Sequence, residues 1–324
     1  ALTQIEDAIR EKPGIRVLYH TRGLILNKLA INEGNIDVAR RRLIQSEISY
    51  RKCIQLGDRS GYGYSGLAKL YREWSGRVKT DTEASDFLTK AEEVISEGLR
   101  TVRDKESLWI ESSEIHKLLG DHPGYIASLV KAVKEGTNSN HARYLLGKVY
   151  RSDGAYEAGK NILYPIIETD HNDFRSYCEY VLCLLYLQHP YNEAVATLKL
   201  SNTYGLGDCR YIAMLGGLLF INGQFSDSIE VFEESYKREF RAPEIDTVYF
   251  SPPNPINPKE PFTLRGEVID VKAGHSLIQS DGYPNILCPG SKYKGILFQR
   301  GMKVEFNLGF RPKGPMAYDP KKLE

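Results

Sequence analysis

The chain of 324 residues is long enough for two or three domains. Its composition is 41% hydrophobic and 26% charged with a net charge of +1, so no global charge excess points to nucleic acid or to a membrane surface. The five cysteines lie far apart and are odd in number, which argues against a disulfide framework and predicts a reducing, cytoplasmic environment. No apolar run reaches the ~18 residues that a membrane span needs.

The chain begins at Ala1, without a methionine, in the middle of a helix-like stretch. We expect residues 1–15 to be an N-terminal helix or the remnant of a preceding domain. A fragment of a longer polypeptide would begin in this way, although removal of an initiator methionine would leave the same start.

A repeated pattern of small, aromatic and aliphatic residues follows, over residues 16–242. Its clearest copy centres on Gly147 and returns around Gly216, 69 residues later. Because 69 is about twice a 34-residue unit, a further copy should lie between the two, and Leu185, Tyr191 and Ala194 fit it. Three earlier copies bring the total to about six.

This pattern resembles the tetratricopeptide repeat (TPR), a helix–turn–helix unit of 34 residues. The resemblance implies a mainly α fold, in which hairpins stack into a TPR-type α-solenoid because one hairpin cannot cover its own apolar face. The first two copies carry insertions near residues 40–50 and 75–86. We interpret them as lengthened helices or loops, with a recognition loop as the alternative.

In TPR arrays the first helix of each hairpin lines a concave face, and the resemblance therefore predicts a ligand surface. Its inward positions carry cations and aromatic rings, which suit an acidic peptide or an acidic protein surface. The predicted protein-binding residues are Lys69, Arg72, Lys117, Tyr144, Lys148, Arg151 and Tyr186. A solvated helix face is the alternative interpretation. In the last copy these positions turn apolar, at Ala213, Gly217, Phe220 and Ile221, and a seam against the linker or tail is an alternative there.

Six prolines crowd the next segment, and we predict a linker over residues 243–262, extended and stiff as a spacer. After it the hydrophobic period changes to two, which predicts a small β-barrel over residues 263–324. The order of motifs resembles a cold-shock domain, an OB-type barrel of five strands. Its most specific piece is the run from Lys313 through Gly314 and Pro315 to Ala317.

Cold-shock domains stack single-stranded nucleic acid on aromatic side chains of two adjacent strands. This chain has His275 and Leu277 in the first motif and Leu287 and Cys288 in the second, so only His275 can still stack. The hypothesis of RNA or single-stranded DNA binding then rests on a polar ring of Lys272, His275, Lys292, Tyr293, Lys294 and Arg311.

Other motifs carry weaker signals. The G-x-G-x-x-G run from Gly61 to Gly66 is preceded by a predicted helix, where dinucleotide binding would need a strand. Cys178 and Cys183 are five apart on one predicted helix, which favours packed thiols over a metal site. We predict no cofactor, no metal, no membrane partner and no catalytic centre.

The sequence therefore predicts a non-catalytic recognition scaffold that binds a protein partner. By architecture it is similar to the sensing C-terminal part of larger prokaryotic signalling or antiviral proteins, including signal-transducing ATPases of the STAND type. The alternative is a nucleic-acid-binding protein that acts through the barrel and recruits a partner through its repeats.

Overall fold

A computed structural model describes residues 1–136, 139–201, 207–237, 247–289 and 297–323. Thirteen helices and then five strands follow one another in this described part of the chain. The helices are α1 (Leu2–Glu11), α2 (Arg16–Ile31), α3 (Ile36–Gln55), α4 (Tyr62–Ser75), α5 (Asp81–Thr101), α6 (Glu106–Leu118), α7 (His122–Glu135), α8 (Asn140–Ser152), α9 (Tyr156–Thr169), α10 (Phe174–Tyr186), α11 (Tyr191–Leu200), α12 (Cys209–Ile221) and α13 (Phe225–Tyr236). The strands are β1 (Thr263–Lys272), β2 (His275–Gln279), β3 (Ile286–Pro289), β4 (Lys303–Arg311) and β5 (Gly314–Lys322).

Helices α2 to α13 form six consecutive hairpins of the TPR type, with α8 meeting α9 where Gly147 faces Leu163, and α1 packs on α2. This confirms the predicted fold class, a mainly helical solenoid followed by a small barrel. Within the described residues, none of the helices combines the length and the apolarity that crossing a bilayer requires.

Small residues let the two helices of a hairpin approach each other. A Cβ added to Gly23 on α2 would lie 2.8 Å from the Tyr50 ring of α3, and one added to Gly216 on α12 would lie 2.6 Å from the Phe232 ring of α13. Because such distances are far below van der Waals contact, a larger side chain would push these helices apart. The small and large positions of the repeat therefore meet in space.

The two insertions lengthen the early hairpins. Residues 40–50 lie inside α3, which has 20 residues, and residues 75–86 cover the α4–α5 connection and the start of α5, which has 21 residues. Asn35 and Thr80 begin these long helices, since each side chain accepts hydrogen bonds from backbone N–H groups of the first turn.

The chain divides into two compact units, Ala1–Leu146 and Gly147–Glu324. The core of the first unit includes Tyr50, Leu67 and Trp74, all buried between its hairpins. The core of the second unit runs without a break from Tyr177 of α10 to Phe306 of β4, so its last hairpins and its barrel share one interior.

The barrel is closed in the order β1-β2-β3-β5-β4. All neighbouring strands are antiparallel except β3 and β5, which are parallel. Alternate residues point inward, and Val268, Ile278 and Val304 are fully buried there. Because the barrel is closed, no strand of it offers an open edge for further pairing.

Residues 247–262 of the predicted linker are packed on both of their neighbours. Phe310 donates its N–H to the Phe250 carbonyl at 2.7 Å, and Leu308 donates to the Phe262 carbonyl at 2.8 Å. The Tyr191 hydroxyl of α11 donates to the Pro253 carbonyl at 3.2 Å. Backbone pairing with β4 therefore holds this segment against the barrel. Residues 241–246 lie outside the described part.

Helix α12 meets the barrel through its apolar positions. A Cβ added to Gly217 would lie 2.6 Å from Phe310 and 2.9 Å from Phe250, and the Phe220 and Phe310 ring centroids are 5.7 Å apart. The β2–β3 loop joins this contact, because Tyr283 stacks on Phe220 at 5.4 Å. Ala213, Gly217, Phe220 and Ile221 thus belong to a seam and not to an open groove.

Candidate protein-binding face and barrel surface

The first helices α2, α4 and α6 of the first unit pack side by side and carry a polar ladder. The Arg72 Nε donates to Glu111 Oε2 at 3.0 Å, and the Asn27 Nδ2 donates to Glu73 Oε2 at 2.8 Å. The Lys69 Nζ lies 3.8 Å from Glu73 Oε1. Arg72 therefore links two neighbouring helices, whereas the Lys69 side chain is still 42% exposed.

At Glu111, burial and the neighbouring arginine shift the pKa of the carboxyl in opposite directions. Its side chain is only 13% exposed, and this burial raises the pKa of the carboxyl, although the Arg72 guanidinium lowers it. A carboxylate held in this way depends on its arginine. We infer that Arg72 stabilises the repeat stack.

Two other predicted residues of the first unit lie beyond this ladder. Lys117, at the end of α6, is exposed, and its ammonium lies 5.7 Å from the centroid of the Tyr125 ring. Tyr144 on α8 is half-buried. Lys117 therefore offers an accessible cation, and Tyr144 offers part of an aromatic surface.

The second unit has a deeper polar contact across α8, α10 and α12. The Glu179 side chain is 0% exposed and accepts from Arg151 Nε at 2.5 Å and from Arg210 Nη2 at 3.0 Å. Two guanidinium groups thus hold one buried carboxylate, which leaves a net charge of +1 on the three side chains.

Sequence reasoning identified Arg151 but missed Glu179 and Arg210. The signal in the sequence was Glu179 itself, because Arg175 and Glu179 are the only charged residues of α10. A lone carboxylate in such a helix has to find a cation on a neighbouring element.

The remaining predicted residues of this face lie close to that contact in the chain. Lys148 on α8 is exposed. Tyr186 at the end of α10 stacks on Tyr156 at the start of α9, with ring centroids 4.6 Å apart and an interplanar angle of 4°. Both rings are half-buried, so their outer parts form an aromatic edge in the second unit.

The predicted polar ring of the barrel is placed only in part. Lys272 at the end of β1 is exposed, with its Nζ 3.5 Å from Asp270 Oδ2. His275 on β2 and Arg311 on β4 are half-buried. Lys292, Tyr293 and Lys294 lie outside the described residues.

The outer face of β2 and β3 is largely apolar. His275 is paired with Pro289, and Leu277 is paired with Leu287, with all four side chains half-buried. Cys288 points into the barrel and is fully buried, which corrects its expected place on the stacking surface. Adjacent residues of a strand face opposite sides, so Leu287 and Cys288 cannot share a face.

The G-x-G-x-x-G run is a helix start. Helix α3 precedes it, and the Asp58 carboxylate accepts from the Gly63 N–H at 2.5 Å and from the Ser60 N–H at 3.1 Å. Gly61 adopts a φ of 83°, which a residue with a Cβ would find strained. The glycines therefore serve the turn before α4.

All five cysteines are buried, and burial raises the pKa of Cys178 and Cys183 to about 12. Over the described ranges of the chain, no three histidine, cysteine or acidic side chains lie close enough to hold a metal ion.

No family model matches the chain. No curated protein matches it either. Solved structures that are similar include a thermophilic TPR protein from Thermus thermophilus, at 19% identity, a TM-score of 0.45, and coverage of 57% of this chain and 89% of that one. A tetratricopeptide repeat protein from Parabacteroides merdae aligns at 13% identity and a TM-score of 0.41, over 67% and 81%. YrrB, a TPR protein with an unusual peptide-binding site, aligns at 16% identity and a TM-score of 0.35, over 61% and 92%.

Proposed function

We propose that the protein is a non-catalytic scaffold that binds a protein partner through an acidic segment of that partner. The observation that carries the proposal is made in each unit by itself, as accessible lysines on first helices of its hairpins. Lys69 on α4 is partly exposed, and Lys117 on α6 and Lys148 on α8 are exposed. Lysines in such places are mobile point charges that attract carboxylates.

The arginines have a different role in this proposal. Arg72 and Arg151 are joined to Glu111 and Glu179 on neighbouring helices, so their first task is to fix those helices. Tyr144 in the first unit and the Tyr156–Tyr186 stack in the second supply flat apolar area. Recognition then depends on the lysines and tyrosines, while the arginines keep the surface in place.

The test uses a fluorescein-labelled peptide of twelve glutamates and the full chain. Exchanging Lys69, Lys117 and Lys148 together for glutamate should weaken binding about tenfold or more, because like charges then face each other. Since the three side chains are exposed or partly exposed, thermal unfolding should stay nearly unchanged. The matched control exchanges Lys90, Lys131 and Lys199 for glutamate, which makes the same charge change on second helices of the hairpins. Equal affinity of the two triple variants would reject the proposal.

A second function, single-strand binding by the barrel, is supported by a different observation. The closed five-stranded order and the β2–β3 face, with His275 on its outer side, favour an OB-type barrel, whose β2–β3 face binds oligonucleotides in that class. The apolar Leu277 and Leu287 beside His275 weaken this alternative. Anisotropy with labelled oligo-dT and oligo-rU, over a salt series, would reveal a steep salt dependence if it is correct. Loss of binding in His275→Ala would place it on the barrel. That the chain belongs to a larger signalling protein stays a prediction.

A further inference from the structure

A cleft of about 660 Å³ opens in the first unit between the start of α3 and the α4–α5 connection. We call it the α3–α5 cleft. Ile36, Trp74 and Val78 give it an apolar lining, and Arg40, Arg77 and Lys79 give it cations. Pockets of roughly 300–1,000 Å³ with an apolar lining and a few polar groups are typical ligand sites. None of Lys69, Lys117 and Lys148 lines the cleft.

The walls of the cleft are held in place by contacts of their own. Arg77 donates from Nη2 to the Glu33 carbonyl at 2.8 Å and from Nη1 to the Ala30 carbonyl at 3.1 Å, at the end of α2. Its guanidinium lies 5.8 Å from the centroid of the Trp74 ring, which is only 2% exposed. A ligand would therefore meet a formed surface and would not have to order it.

The cleft has an excess of positive charge. Its one acidic lining residue, Glu83, lies 3.9 Å from Arg40 and belongs to the first turn of α5, where Thr80 caps its N–H at 3.2 Å. Three cations against one carboxylate leave the lining at +2. An anionic ligand with an apolar part matches this combination.

The outer side of α3 continues the same chemistry away from the cleft. Ile44 and Ile48 are 56% and 59% exposed. The exposed Arg40 and Arg41 precede them in the helix, and Arg51, which is paired with Glu47 at 2.8 Å, follows them. Residues 36, 40, 44, 48 and 51 are three or four apart, so they share one side of the helix. The cleft and this strip, which have Ile36 and Arg40 in common, form one apolar and basic surface.

We propose that this surface is a second docking site, which binds an acidic peptide segment and takes one large aliphatic side chain of it into the α3–α5 cleft. A basic and apolar helix face also suits an anionic membrane. The recess favours the peptide, since a single side chain can enter the cleft that Trp74 and Val78 line, whereas a bilayer surface cannot.

The chain has two tryptophans, Trp74 and Trp109, and this gives the experiment a local reporter. In a Trp109→Phe background, the emission of Trp74 alone is followed while a tryptophan-free peptide with one leucine flanked by glutamates is added. We expect a saturable change in Trp74 emission. Replacing the peptide's leucine by alanine should weaken binding about tenfold, because the buried side chain is lost.

Protein variants localise the site. Arg40→Glu together with Lys79→Glu should weaken binding about tenfold or more, because the charge of the rim is reversed. The matched control is Arg100→Glu together with Arg103→Glu, since both side chains are exposed at or just after the end of α5, roughly 25 Å along the helix from Glu83. The Lys69, Lys117 and Lys148 triple variant should leave the Trp74 signal unchanged, which separates this site from the one proposed above.

Three results would overturn the proposal. One is equal affinity of the Arg40/Lys79 variant and the parent. Another is equal affinity of the leucine and alanine peptides, a comparison that needs no folded variant. The third is sedimentation with phosphatidylserine vesicles that requires Arg40, without any Trp74 response to the peptide, since this would assign the surface to a membrane.

Discussion

The two units differ in how each buries a carboxylate between its first helices. In the first unit the deepest carboxylate between first helices, Glu111, keeps 13% exposure and one arginine. In the second unit Glu179 has no exposure and two arginines, Arg151 and Arg210. Complete burial of a carboxylate is costly unless several charged donors surround it. The second cation therefore accompanies the deeper burial.

The difference extends to the ends of the hydrophobic cores. The first unit has a core made of hairpins alone, whereas in the second unit Phe310 carries the core from α12 into the barrel. Ten consecutive residues of α12, from Tyr211 to Phe220, are buried as a result. A helix that is apolar all round has to be covered on all sides. In the second unit the barrel provides that cover.

Removing the Phe310 ring should cause the largest loss of stability, and it tests whether the two units have separate cores. Its ring is fully buried and lies 5.7–6.4 Å from the rings of Phe220, Phe250 and Phe232. Phe310→Ala should lower the free energy of unfolding of the second unit by about 3–5 kcal/mol. Both tryptophans lie in the first unit, so urea titration followed by tryptophan emission should change little, while far-ultraviolet circular dichroism should show an earlier transition.

Leu297→Ala is the control for this variant, because Leu297 is 87% exposed and should behave like the parent. An equal shift of the tryptophan and circular dichroism transitions in Phe310→Ala would mean that the two units unfold as one. In that case the comparison of separate cores would fail.

The two carboxylates should differ when each is removed. Glu179→Ala leaves Arg151 and Arg210 close together without their acid and should cost about 3–5 kcal/mol. Glu111→Ala leaves Arg72 partly open to water and should cost about 1.5–3 kcal/mol. Denaturant unfolding of both variants, with Glu168→Ala as an exposed control, measures the difference. Equal losses for Glu111 and Glu179 would show that the second arginine adds nothing.

A smaller difference in the free energy of unfolding is expected at alkaline pH, where the buried thiols titrate. Burial raises the pKa of Cys288 to about 12 from an ordinary value of 9.0. A raised thiol pKa stabilises the folded state below pH 9, and this contribution is lost as pH rises from about 9 towards 12, at up to ~1.4 kcal/mol per pH unit. The free-energy difference between the parent and Cys288→Ala should therefore shrink above pH 9.

The measurement is urea unfolding of both proteins at about pH 8 and about pH 10, because the other titrating groups are common to both and cancel in the difference. A difference independent of pH would contradict the buried thiol. Burial raises the pKa of Cys53 in the first unit to about 11. The free-energy difference between the parent and Cys53→Ala should therefore stop changing about one pH unit earlier than for Cys288.

Much of the fold could be predicted from local pattern. The pairing of Gly216 with Phe232 is implied by their spacing within one repeat, because hairpin helices meet at fixed positions. The period of two around Val304 and Phe306 likewise indicates a strand with one buried side. Both signals are carried by a few neighbouring residues.

The candidate site was less predictable, because its contacts join distant parts of the chain. Arg72 reaches Glu111 across 39 residues, and Arg210 reaches Glu179 across 31. Charge spacing within one helix shows which residues share a face, but not which acid on the next helix forms an ion pair with each of them. The protein-binding face therefore stays a prediction, and the acids that pair with Arg72 and Arg151 were not foreseen. Cys288 was placed on the stacking face together with Leu287, although adjacent residues of a strand face opposite sides and only one of the two can lie there.

Helix α12 has a consequence for the order in which the chain is made. Its buried apolar surface needs Phe250 and Phe310, and β5, which closes the barrel, ends at Lys322. At roughly 5–20 residues per second, the ribosome takes about 5–20 s to deliver the hundred or so residues after Phe220. Throughout that interval the side of α12 that packs on the barrel has no cover.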